Sequence, residues 1–334
     1  MPRATWKNIS SDASIQRSSQ TLSVVGNNAY IYGGELRPRE PVDSAVYRIS
    51  LDGETSGNAI SPITGSSDTP QPRVGAASTA LGNKVYIFSG RGGTAMAPIE
   101  EQGALWEFDP IANGGEWSQI KPADPQSPFP SGRSYHAITS NGQDTVFIHA
   151  GCPEKGRLRD LWAFNIPTRK WTELSPAPEP ERGGTSIAYF EGRLYRMNGF
   201  DGKTEQGGAL DVFDYASNSW TTITYPVDGI HGPSPRSVSS LLALRINNRA
   251  SLVTMFGERD PSSLGHQGAG KMLSDVWAFD VESNTWEKVT TGVEGPPSRG
   301  WFDADVFGDS PSIVVHGGLA ESNERLGDVW LLQF

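Results

Sequence analysis

Of 334 residues only one is a cysteine, Cys152, so no intrachain disulfide is possible. The opening Met-Pro-Arg-Ala-Thr-Trp lacks the basic-then-apolar layout of a secretory leader. Together these predict a reducing, cytoplasmic setting. No apolar run approaches the roughly 18 residues that would cross a bilayer, so no membrane partner is expected. Cationic charge is also scarce: 28 Lys and Arg stand against 38 Asp and Glu, a net charge of −10 with no basic run to interrupt it. That field repels phosphate backbones and argues against nucleic acid. What the chain has in abundance is punctuation, with 38 Gly and 24 Pro. Such a composition excludes a helical bundle and predicts many short elements joined by turns.

The short elements repeat. An Arg followed by small or hydroxyl residues recurs at Arg17, Arg73, Arg133, Arg182, Arg236 and Arg299, at separations of 56, 60, 49, 54 and 63 residues. A short apolar strand ending in Gly follows each one, at Gly34, Gly90, Gly151, Gly199, Gly257 and Gly318; the Arg-to-Gly offsets are 17, 17, 18, 17, 21 and 19. Glycine suits a strand end where φ is positive or another backbone approaches closely. A third word is an aromatic strand, as in Leu105-Trp-Glu-Phe108, Leu161-Trp-Ala-Phe164 and Asp275-Val-Trp-Ala-Phe279. A fourth is a single outer Trp at 117, 171, 220 and 286, replaced in the first unit by Asn58-Ala-Ile-Ser. Four strands per unit and six units predict an all-β, six-bladed β-propeller formed by residues 1–334 as a single domain. The last unit stops at Phe334 after its third word, while Trp6-Lys-Asn-Ile near the start is a fourth word without a unit. Residues 4–10 should therefore complete the sixth blade, which removes an exposed sheet edge.

In antiparallel blades the start of the first strand and the end of the second lie at one end. The six repeated arginines and the loops after the second strands therefore share a mouth, and those loops carry Glu35, Arg91, Glu258, Asp260 and His266. The fifth loop is the longest, with 20 residues from Gly257 to Trp277, and long loops over a rigid scaffold commonly hold binding groups. A guanidinium-rich mouth on an acidic protein would focus an anionic small molecule. The repeated arginines also have a structural reading, pairing with a carboxylate or carbonyl of the neighbouring blade. His136 reads as a strand residue with a satisfied ring, and His149 and His316 as buried.

These Arg, Tyr-Ile-Tyr-Gly-Gly, Val-Tyr and Trp words resemble the kelch superfamily from residue 6 to residue 334. Within it, Phe256-Gly-Glu-Arg-Asp-Pro-Ser-Ser-Leu-Gly-His266, Arg299-Gly-Trp301 and Val315-His-Gly-Gly318 resemble the plant nitrile-specifier and thiocyanate-forming proteins. Those are cytosolic propellers that redirect glucosinolate aglycones with Fe(II). The resemblance implies substrate docking on Arg91 and Arg299 beside Trp301, and Fe(II) held by Glu258, Asp260 and His266. That family's Glu-x3-Asp-x3-His spacing is kept by Glu258 and His266, but Ser262 stands at its centre and Asp260 lies two residues early. An Fe(II)-assisted lyase or rearrangement on an anionic substrate is the expectation. A non-catalytic scaffold for a protein partner and a cyclase or isomerase of specialised metabolism are the alternatives.

Overall fold

The computed structural model describes residues 2–52, 60–63, 68–308 and 311–334. Its strands form six four-stranded antiparallel blades, the arrangement of a six-bladed kelch propeller. The chain divides into two compact units of three blades, Ser19–Gly183 and Met1–Ser18 with Gly184–Phe334. In the first unit, the third blade runs in the order Ala137–Ser140, Thr145–Gly151, Leu158–Asn165, Lys170–Leu174. The second unit holds the sixth blade, in which Arg3–Ser11 lies antiparallel on Asp328–Gln333.

The aromatic and outer-Trp words meet across neighbouring strands. Phe108 opposes Trp117, Phe164 opposes Trp171, Phe213 opposes Trp220 and Phe279 opposes Trp286, with ring centroids 4.7–5.1 Å apart. Each such contact adds about 0.5–1.5 kcal/mol beyond the area it buries. Trp6 takes the same register, opposite Leu332. The N-terminal strand thus supplies the fourth word of the last blade, as the sequence predicts. Outside it, Thr290–Thr291 adds a short parallel strand on Arg3 and Ala4 that the repeat does not foretell. In the first blade Ile60 fills the aromatic position opposite Ile49; Asn58 and Ala59 lie outside the described residues.

One buried histidine departs from expectation. His136 is 5% exposed and stacks edge-on against Phe88, yet among the described residues neither ring nitrogen has a hydrogen-bond partner. The ring is therefore unsatisfied, because the blade closes over it with Gly151 against its Cβ. Burial, helped by the Arg133 charge, holds its pKa down at about 3. His316 is likewise held at about 3 by burial and the Arg17 charge, although its Nε2 reaches the Ile15 carbonyl at 3.0 Å. The folded-state pKa lies below the unfolded value near 6.5, so the unfolded chain takes up protons that the fold refuses. Stability is then expected to fall as pH drops from about 6.5 toward 3, by about 1.4 kcal/mol per pH unit for each histidine. His136→Leu should flatten this slope and raise stability at pH 5; urea titrations at pH 5 and pH 7 that give unchanged midpoints would contradict it.

Candidate functional site

Four of the six repeated arginines, Arg73, Arg133, Arg236 and Arg299, each fasten their own blade to a carboxylate. Arg133 donates through Nε to the Ser131 carbonyl, through Nη1 to the Ala150 carbonyl and Asp160, and through Nη2 to Asp160. Arg236 does the same with Ser234, Phe256 and Asp275, and Arg299 with Pro297, Gly317 and Asp328. Arg73 uses Gln71, Ser89 and Glu101. The carboxylate then receives an indole N–H from Trp106, Trp162, Trp277 or Trp330. Three words of the repeat are thereby tied through one guanidinium, which explains their fixed spacing. The carboxylate comes from the arginine's own blade and not from a neighbour. Between blades, the glycine words take over: the N–H groups of Gly34, Gly90, Gly151, Gly199, Gly257 and Gly318 donate to the carbonyls of Arg73, Arg133, Arg182, Arg236, Arg299 and Arg17. All six glycines have φ between +91° and +108°, a region that L side chains avoid.

Arg299 must be reassigned accordingly. Its side chain is 0% exposed and its charge is neutralised by both oxygens of Asp328 at 2.7 Å. A guanidinium enclosed and paired in this way is a blade clamp and has no face for substrate.

Two residues beyond each arginine lies a feature the repeat conceals. Ser19, Gly75, Tyr135, Gly184, Val238 and Trp301 all adopt left-handed backbone, with φ from +47° to +63°. Within the first unit Gly75 N–H donates to Ser19 O and Tyr135 N–H to Gly75 O; within the second, Val238 N–H donates to Gly184 O and Trp301 N–H to Val238 O. Glycine at two of the six positions was the available sequence signal. The other four place side chains at a backbone cost of about 1–2 kcal/mol each.

In the second unit, Trp301 lies beside Glu258, the first residue of the long loop. Glu258 is 5% exposed and its Oε1 accepts the Gly270 N–H at 2.7 Å. Burial raises its pKa, the Gly270 amide opposes the rise, the Glu205 carboxylate reinforces it and the Trp301 indole opposes it. Gly270 is required by that contact, since a Cβ there would sit 2.7 Å from Glu258 Oε1. Asp260 is exposed and faces Lys271 at 3.6 Å. Ser262 Oγ accepts the Leu264 N–H. His266 lies in the 3-10 turn Gly265–Gln267, and its side chain is outside the described residues. A ferrous centre needs donors converging on one point. Here Glu258 is turned inward as a loop fastener, Asp260 outward onto a lysine, and among the described residues no three His, Cys, Asp or Glu side chains gather. Glu258 and Asp260, turned to opposite sides, do not converge as a ferrous ligand pair.

In the first unit, Arg91 opens the hairpin Arg91–Gly92 with Ala97–Pro98. Its Nε donates to Ser134 Oγ at 2.6 Å, Nη1 to Met96 O at 3.3 Å and Nη2 to Pro153 O at 2.8 Å. All three acceptors are neutral, and among the described residues no carboxylate pairs with it. A guanidinium has five N–H donors, so two remain. Cys152 is close by; burial pushes its thiol pKa up, against the charges of Arg157 and Arg91.

With the blades and both groups of side chains in view, comparison with known proteins places the chain. Residues 19–257 match the family model of the KLHDC2/KLHL20/DRC7 Kelch-repeats domain, and the chain belongs to that kelch-repeat family. It is similar to N-(sulfonatooxy)prop-2-enimidothioate sulfolyase of Thlaspi arvense, 28% identical across 94% of this chain and 91% of that protein. It also resembles serine/threonine-protein phosphatase BSL2 of Arabidopsis thaliana, 24% identical across 92% of this chain but only 30% of that protein. The solved structure of YjhT superposes with a TM-score of 0.71 at 16% identity, covering 94% of each chain. That likeness shows the fold. No helix among the described residues is long and apolar enough to cross a membrane.

Proposed function

We propose that this propeller binds a small oxyanion-bearing metabolite at Arg91 and cleaves it in the manner of a lyase whose leaving group is the anion. The observation that carries this reading is the contrast among arginines. Arg73, Arg133, Arg236 and Arg299 are buried and each neutralised by a carboxylate. Arg91 is half-buried, held rigid by neutral acceptors only, and keeps its charge. A fixed, uncompensated guanidinium in a protein of net charge −10 favours anions locally. Its two remaining N–H groups would stabilise the negative charge that develops on a departing oxyanion. The similarity to a sulfolyase over most of both chains supports a sulfate ester or sulfonate as the substrate class.

Titration calorimetry with inorganic sulfate and with phenyl sulfate tests the binding step. The wild-type protein should bind both, and Arg91→Ala should weaken each by at least tenfold, the worth of one charge-assisted hydrogen bond at about 1.5–3 kcal/mol. Failure of the wild type to bind either anion, or unchanged binding by Arg91→Ala, sinks the reading and leaves protein capture as the function to pursue.

A further inference from the structure

We infer that the cleft between the fourth and fifth blades is a second ligand site, which takes the carboxylate of a small organic acid on Arg193 and Tyr195. It is separate from the Arg91 reading and does not depend on it. The cleft has a volume of about 350 Å³, within the range of small-molecule sites. It lies on one face of the fourth blade, where Arg193 pairs across the sheet with Asp214 and Tyr195 with Val212. Val281 and Asn284, from the turn after the third strand of the fifth blade, complete the lining. Arg193 begins the strand that ends at Met197, so the cleft lies at the far end of the blade from the loop after Gly199.

The second blade shows what such a face holds. Its second strand, Lys84–Phe88, also starts with a cation and has a tyrosine two residues on. There the residue facing the tyrosine is Glu107. Its carboxylate takes the Lys84 ammonium at 2.5 Å and the Tyr86 hydroxyl at 2.8 Å, while Asp109 stands 3.7 Å from the same ammonium. In the fourth blade the cation is Arg193, the phenol is Tyr195 and the outer carboxylate is Asp214, 3.9 Å from Arg193 Nε. Val212 stands where the second blade has Glu107. Cation, phenol and outer carboxylate are kept, and the acceptor that joins them is replaced by a valine lining a cleft.

The ligand chemistry follows from that replacement. Arg193 has a half-exposed side chain and hydrogen-bonds the Tyr195 phenol. A guanidinium only donates, so the phenol oxygen is the acceptor, and Val212 offers its O–H nothing like the carboxylate that Tyr86 meets. Burial pushes the Tyr195 pKa up, the Arg193 bond and charge oppose the rise and the Glu191 carboxylate reinforces it. The phenol therefore carries its proton at neutral pH. A cation and a phenol O–H are the donors that Glu107 takes in the second blade. Asp214 does not forbid the incoming anion, since Asp109 is as close to Lys84 with Glu107 in place. Val212 and Val281 suit an apolar body behind the carboxylate.

NMR of the full chain with 13C-labelled valine methyl groups, titrated with benzoate, tests the site. The Val212 and Val281 resonances should shift and saturate in wild type and in Arg91→Ala alike. Benzamide, of the same shape but uncharged, should leave them in place. Tyr195→Phe and Arg193→Gln should each weaken benzoate about tenfold. Val212→Glu, which rebuilds the second blade's arrangement, should no longer bind it. Resonances of Val212 and Val281 that stay still throughout the titration of wild type, where folding is not in question, overturn the site. Equal shifts with benzamide overturn the assignment to a carboxylate. Shifts lost in Arg91→Ala and kept in Arg193→Gln would place the acid at Arg91 and overturn this inference while leaving the Arg91 reading intact.

Discussion

Removal of residues 2–11 is expected to abolish cooperative folding of the sixth blade and to lower the melting temperature by well over 10 °C, if a single transition survives at all. The deleted strand pairs along Asp328–Gln333 from Thr5 to Ser11. It buries Ala4 in the cluster that contains Met255, Phe256, Phe302, Ile313, Val315 and Leu332. It also contributes Trp6, stacked on Phe256 at 5.8 Å and edge-on to Trp330 at 6.5 Å. Loss of the strand exposes the ladder groups of Asp328–Gln333 and a hydrophobic face at once. The sum rivals the whole stability of an ordinary domain, about 5–15 kcal/mol. Trp6→Ala isolates one part of this and should cost about 2–4 kcal/mol, less than a fully buried tryptophan because Trp6 is only partly enclosed. Circular dichroism melts of the two variants provide the measurement. A peptide spanning residues 2–12, added to the truncated chain, should restore part of the transition by strand addition. A truncated chain that melts within a few degrees of the intact one would falsify the role given to this strand.

The fold was legible because the words of the repeat are the fastenings of the blades. Arginine, glycine, acid and tryptophan recur at fixed offsets since one guanidinium must reach a carbonyl beside the glycine, a carboxylate and, through it, an indole. Even the missing fourth word could be read, as Trp6 in register with Leu332 shows. The site was less legible for physical reasons. Arg299 and Arg91 look alike in sequence, and only partner charge separates a clamp from a docking group. The partner of Arg299 is Asp328, 29 residues away; those of Arg91 include Ser134 and Pro153, on other loops. The left-handed backbone at Tyr135 left no trace in the sequence, because φ is invisible at a non-glycine residue. The Glu258 spacing suggested a metal set, but spacing in a loop does not say which way a carboxylate turns, and this one turns inward to Gly270.

The fourth blade illustrates how far such a repeat bends. It has Asp211 where its neighbours place the aromatic word's tryptophan, and Asp211 pairs directly across the sheet with Arg196 at 2.8 Å, both enclosed. Thr222 donates to the second carboxylate oxygen. This buried pair joins the second and third strands of the blade with the sheet register kept. Buried pairs of this kind contribute little over a well-packed apolar pair, but either charge alone is costly.

That asymmetry gives the sharpest separation between the two kinds of arginine. Asp328→Ala should destabilise the protein by about 3–5 kcal/mol, because the Arg299 guanidinium is left buried without its counter-charge. Replacing both partners, Arg299→Met with Asp328→Leu, should recover most of that loss, since no unpaired charge remains. Acid should mimic the single variant. Burial alone would raise the Asp328 carboxyl, but the Arg299 guanidinium and the Trp330 indole outweigh it and hold its pKa below the ordinary value; the Arg236 guanidinium does the same for Asp275. With a folded pKa below the unfolded one, this contribution is complete above about pH 4 and is lost as pH falls through the lower folded value. Arg91→Ala should cost clearly less stability than Asp328→Ala, since it removes the charge together with its hydrogen bonds and leaves only neutral acceptors at a half-buried position, while weakening oxyanion binding. Denaturant titrations of the Asp328 and Arg91 variants, run beside sulfate calorimetry, therefore test one proposition from two directions. A large stability loss in Arg91→Ala, or sulfate binding abolished with folding intact in Asp328→Ala, would reverse the assignment of clamp and docking group.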